Sequence, residues 1–164
     1  MKAFALTAAV LLTGLITVDA GAAEAGQGTT TSQAHINLSA AEKLSAAAQA
    51  HARAKGFNLV FVVIDASGNT VLVSRMDGAS PLLTDVARRK AVTALMMQQP
   101  SGDIANPPTL GTVKLLGIQD VLPVRGGIPL RDNGRIVGAM GASGAPAEED
   151  EAAVIAAVTA VLSK

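Results

Sequence analysis

Cysteine, tryptophan and tyrosine are absent from this 164-residue chain, and phenylalanine occurs three times. Without cysteine no disulfide can staple the fold, so stability must rest on burial and on association between subunits. His35 and His51 are the only histidines, which argues against a tetrahedral zinc site. The scarcity of aromatics leaves no stacking platform for single-stranded nucleic acid. Charge is equally uninformative for nucleic acid: 13 basic side chains face 13 acidic ones. A balanced chain lacks the basic footprint of a nucleic-acid binder, so that class of partner is discarded. Near-zero net charge favours self-association instead. The core has to be assembled from Val, Leu, Ile, Ala and Met.

The first residues are of a different character. Met1-Lys2 gives a short positive start, Ala3 to Val18 is largely apolar, and Ala20-Gly21-Ala22 supplies a small-x-small cleavage site. This is the layout of a secretory signal peptide over residues 1–22, too short for a stable membrane anchor. Export to a periplasm or beyond the cell is the expectation, with no stable membrane insertion after cleavage. Residues 23–35 lack periodicity and are expected to form a disordered lead-in to one domain spanning 36–164.

Within that domain, Ser39 and Glu42 suggest a capping box opening a helix that Gly56 ends. Leu59 to Ile64 is a β-branched apolar run, expected to be a strand covered on both faces. Asp65 to Asn69 turns the chain into a second strand, Thr70 to Ser74. Ser80 and Pro81 suit the start of a helix running to about Gln99. A short helix is expected within Leu110 to Ile118. Val121–Val124, Ile128–Arg131 and Arg135–Met140 read as three more strands, with Asp132-Asn133-Gly134 as a tight turn. A last helix follows Pro146, its acidic start favouring the dipole and Val154, Ile155, Val158, Val161 and Leu162 forming its buried stripe. The fold class is α+β: a five-stranded, mainly antiparallel sheet flanked by helices.

Polar residues interrupt the apolar pattern at a few places. Lys90 and Thr93 share a stripe of the second long helix with Leu83, Val86 and Met97. A buried lysine is expensive unless it meets a carboxylate or another anion. Two readings are open: a pocket for an anionic ligand, or a snorkelling lysine beside a threonine bonded to its own helix. Arg75-Met76-Asp77-Gly78-Ala79 ends a strand, where Arg75 either meets a ligand or pairs with Asp77 to fix the turn. Arg125 precedes Gly126-Gly127, a clamp beside exposed amides or a plain turn. Gly138, Gly141 and Gly144 have neither dinucleotide spacing nor a following lysine and are read as packing glycines. His51, at the edge of the first helix's apolar stripe, is either an iron ligand or a half-buried side chain. His35 is expected to be solvated. Ser143 lacks a downstream histidine for a hydrolase triad.

Taken in order, five segments resemble the GlcG/HbpS-like haem-binding family, also called the haem-degrading domain family. They are Val63 to Asn69, Arg75 to Ala79, Arg89 to Ala94, Gly126 to Pro129 and Gly141 to Pro146. The resemblance implies a profilin-like sandwich that assembles as a homo-oligomer, dimer or higher, and binds haem. It implies scavenging or sequestering of haem, with at most a weak oxygen-dependent degradation. It places a threonine on the haem iron, here Thr93, with Lys90 and Arg89 beside the propionates. Arg75, Arg125 and His51 complete the cofactor-binding set. Two other functions stand beside it: an exported accessory protein binding a small carboxylate such as a hydroxy acid through Arg75, Lys90 and Arg125, and a structural or sensory partner without a tight ligand.

Overall fold

The computed structural model describes residues 32–105 and 107–162. The expected signal peptide and most of the lead-in lie outside them. Ile36 is buried, and its amide donates to the Val137 carbonyl at 2.8 Å, tying the start of the domain to the sheet.

Four strands form one antiparallel sheet: β1 (Val60–Asp65), β2 (Thr70–Arg75), β3 (Gly127–Asp132) and β4 (Arg135–Ser143). Their order is β2-β1-β4-β3, so the two hairpins meet through the β1–β4 pair. Strand β1 is buried from Val60 to Ile64, as its continuous apolar run requires. Phe61 and Val63 face one side, against helices α1 (Leu38–Ala54) and α4 (Ala147–Leu162). Val60, Val62 and Ile64 face the other, against helix α2 (Leu83–Met97). The result is a three-layer sandwich with an apolar cluster on each face of the sheet.

The expected fifth strand is not among the described residues. Val121–Val124 runs without ladder partners. Side chains take three of its backbone groups, Val121 O by Arg89, Leu122 N–H by Thr93 and Val124 O by Ser101, while the Val121 and Val124 amides turn to the nearby Ile118 and Leu122 carbonyls. Pro123 has no N–H to give a ladder, and Asp120 enters the segment at φ 67°. Between α2 and β3 the described residues form a 3-10 turn at Asp103–Ala105 and the short helix α3 (Leu110–Leu115), capped reciprocally by Thr109 and Thr112.

Helix boundaries also depart from expectation. Asn37, not Ser39, caps α1, its side chain accepting from the Ala40 amide at 2.9 Å. Asparagine caps as well as serine, and here it stands two residues earlier. Ser80 and Pro81 form a turn before α2 through their carbonyls, with no side-chain cap on that helix. In α4, Ile155 is 47% exposed, whereas Asp150 and Glu151 are buried. The acids at this helix start therefore do more than complement its dipole.

One close approach fixes where α2 sits. Gly127 and Gly141 are cross-strand partners on β3 and β4. A Cβ on Gly127 would lie 2.1 Å from the Lys90 carbonyl oxygen, and one on Gly141 would lie 2.0 Å from that of Ala87. The pair is a flat place in the sheet on which the middle turn of α2 rests directly.

Candidate functional site

Lys90 leaves this contact and runs past the sheet end into the opposite layer. Its Nζ donates to Asp150 Oδ2 at 2.8 Å and to the Ala142 carbonyl at 3.0 Å. Lys90 is 3% exposed and Asp150 2%. The anion that a buried lysine demands is thus supplied by the chain itself. Asp150 Oδ1 also accepts from the Ala145 amide at 3.0 Å, so one carboxylate joins α2, β4 and the start of α4. Burial holds the Asp150 carboxyl above its ordinary value, against the lowering pull of Lys90 and of the Ala145 and Gly144 amides. Arg125 is compensated too: its Nε donates to Glu151 Oε2 at 2.6 Å.

Thr93 is fully buried. Its hydroxyl donates to the Arg89 carbonyl at 2.7 Å and accepts from the Leu122 amide at 2.7 Å. The first contact is the helix back-bonding left open by the sequence; the second holds the strap Asp120–Arg125 over α2. Arg89 gives Nη2 to the Val121 carbonyl at 3.0 Å. Arg88, outside the nominated residues, binds both Asp120 and Asp85. That partnership raises the Arg88 pKa and lowers that of Asp120.

The nominated residues therefore divide. Arg89, Lys90, Thr93 and Arg125 gather around the strap. Arg75, at the end of edge strand β2, donates Nη1 to the Ala79 carbonyl at 2.7 Å and closes its turn without an ion pair to Asp77. His51 belongs to α1 on the other face of the sheet. Its Nε2 is buried without a hydrogen-bond partner, alone in this among the buried side-chain polar atoms of the described residues. His35 is exposed, as expected, and its Nδ1 lies 3.6 Å from Asp65 Oδ2. Together with Asn37, Lys43 and Arg131 it lines an open pocket of about 910 Å³. A smaller pocket of about 540 Å³ lies beside Arg88, Val92, Met96 and Asp120. Neither is lined by Thr93, Lys90 or His51.

Asp150, Glu151, Asp120 and Ser101 are the partners that sequence reasoning missed. For Asp150 a signal existed, because a lysine on an apolar stripe calls for an acid. For the others none did, since side chains bonding an irregular strap follow no periodicity.

Residues 36–159 match a family model described as haem degrading protein, HbpS-like. The chain belongs to the HbpS-like family. Among curated relatives it is 36% identical over 121 residues to an uncharacterised 15.0 kDa protein from the dhaT-dhaS intergenic region of Citrobacter freundii, covering 71% of this chain and 85% of that one. Protein GlcG of Escherichia coli is 29% identical over 103 residues, 63% of this chain and 77% of its own. Among solved structures, HbpS is 34% identical with a TM-score of 0.75, covering 83% of this chain and 96% of that one. The HbpS-like sandwich is thus the frame in which the buried lysine, the strap and the histidine are set. Among the described residues no helix is long and apolar enough to cross a membrane.

Proposed function

We propose that this chain is an exported haem-binding protein that sequesters haem as a homo-oligomer. Membership of the HbpS-like family, whose description names haem, is the observation that carries this reading. The donor set of the chain is compatible with it. The His51 Nε2 is buried without a partner, and imidazole is a common axial ligand of haem iron. Thr93 is the ligand that the resemblance implies, and its hydroxyl becomes available only when the Leu122 amide leaves it. The two lie on opposite faces of the sheet, so one protomer does not offer both to the same iron.

Arg89, one turn from Thr93 on α2, is the cation that would meet a propionate there, and the half-exposed Arg125 would join it on leaving Glu151. Lys90 is withdrawn from that role by Asp150. The same pairing weakens the small-carboxylate reading, which needed Arg75, Lys90 and Arg125 to converge. Haem, when bound, would supply the iron for any oxygen-dependent chemistry, and the protein would orient it and exclude water. Association has a candidate surface in the exposed Leu110, Val113 and Leu116 of α3 and its C-terminal end.

Titration of the purified protein with haemin tests the reading. A saturable Soret shift supports it, and the pattern of loss in Thr93→Ala and His51→Ala assigns the face. No shift with stoichiometric haemin rejects it.

A further inference from the structure

We propose that Asp120–Arg125 is a clasp that swings off α2 as a unit, held shut by the Arg88–Asp120 pair, and that its opening exposes Thr93. The inference rests on the reading in which haem is held on the α2 face. It starts from how the segment is attached. A strand in a sheet would be fixed by a ladder, whereas this segment is fixed almost wholly by side chains. Arg89 holds the Val121 carbonyl at 3.0 Å, Thr93 the Leu122 amide at 2.7 Å and Ser101 the Val124 carbonyl at 2.6 Å. Arg125 adds an ion pair to Glu151 of α4 at 2.6 Å, and all four ties can release without breaking a strand or a helix.

The ends of the segment have the backbone geometry of hinges. Asp120 lies at φ 67° and Gly126 at φ 118°, both outside the regions that most residues prefer. Between them Val121 and Pro123 are buried, so the closed position is the packed one. The closing contact, by contrast, is open to water: the side chains of Arg88 and Asp120 are 34% and 36% exposed. Arg88 is also shared with Asp85 at 3.3 Å, which gives the guanidinium a partner when Asp120 departs. A buried hydroxyl under a segment tied by side chains, with a solvent-exposed ion pair at its edge, is the arrangement of a gate rather than of a core.

Asp120→Asn is the direct test, because asparagine tolerates the same left-handed backbone and removes only the charge. Amide hydrogen exchange of Leu122 should rise about 1.5-fold to fivefold, the range expected for losing one exposed ion pair, with the amides of α2 and β1 unchanged. The association rate of haemin should rise by the same factor, since the competent population rises by it. Thr93→Val should free the Leu122 amide with the ion pair intact, and Arg88→Gln repeats the test should Asp120→Asn fail to fold. Unchanged exchange at Leu122 overturns the clasp. Raised exchange with an unchanged haemin rate overturns the gating. Haemin bound by neither protein overturns the haem reading instead, and the exchange result then decides the clasp alone.

Discussion

Breaking the Lys90–Asp150 pair from either side should destabilise the protein strongly and with opposite dependence on pH. Both groups are almost fully buried and 2.8 Å apart, so neither remaining charge can be solvated in place. Removing one partner of such a pair typically costs about 3–5 kcal/mol. The limit follows from the alternative of giving up the charge. In Asp150→Asn, an ordinary lysine value of 10.4 puts neutralisation at pH 7 near 4.6 kcal/mol, at 1.36 kcal/mol per unit. At pH 9 the same limit is about 1.9 kcal/mol. The penalty of Asp150→Asn should therefore shrink as pH rises. In Lys90→Met the remaining group is a carboxyl that burial already holds above its ordinary value. A raised carboxyl binds its proton more tightly folded than unfolded, so its ionisation opposes folding and relief comes as pH falls. With an ordinary value of 3.9, the limit drops from about 4.2 kcal/mol at pH 7 to about 1.5 kcal/mol at pH 5. Urea unfolding of both variants at pH 5, 7 and 9 checks this. Penalties below about 1 kcal/mol at pH 7, or the same pH trend for both, would refute the reasoning.

Three further outcomes follow from the geometry. Gly127→Ala and Gly141→Ala press a methyl onto α2 carbonyls at 2.1 and 2.0 Å and should each cost at least about 1–3 kcal/mol by urea unfolding, whereas Gly134→Ala, with open space at φ 78°, should cost about 1–2 kcal/mol from the backbone alone. The Arg88 hydrogen bond lowers the Asp120 pKa from its ordinary 3.8, so its contribution is full above that value and is lost as pH falls through the lowered one. The Leu122 amide resonance should move in that window; an amide indifferent to pH there would deny the coupling. Leu44→Ala, at a fully buried position of α1, should cost about 2–5 kcal/mol in thermal unfolding without altering the Leu122 amide on the opposite face.

Much of the sandwich was legible because its signals are periodic. The run Leu59 to Ile64 demanded a doubly covered strand, and Asp132-Asn133-Gly134 demanded a tight turn; both are present. Ordered motifs made the family legible as well. Val121 to Val124 misled for a physical reason: an extended apolar stretch reads as a strand whether its carbonyls meet a ladder or the side chains of Arg89 and Ser101. The site was half legible. Lys90 called for an anion, and periodicity could not say that the anion was Asp150, sixty residues away. Ser39 and Asn37 are both good caps two residues apart, and only the backbone geometry chooses between them.

Haem binding by this HbpS-like chain is tested by titrating the purified protein with haemin and following the Soret band. A saturable shift at or below one haem per protomer, lost on substitution of one of Thr93 and His51 and kept on substitution of the other, is the expected result. A spectrum that remains that of free haemin through the stoichiometric point would contradict it.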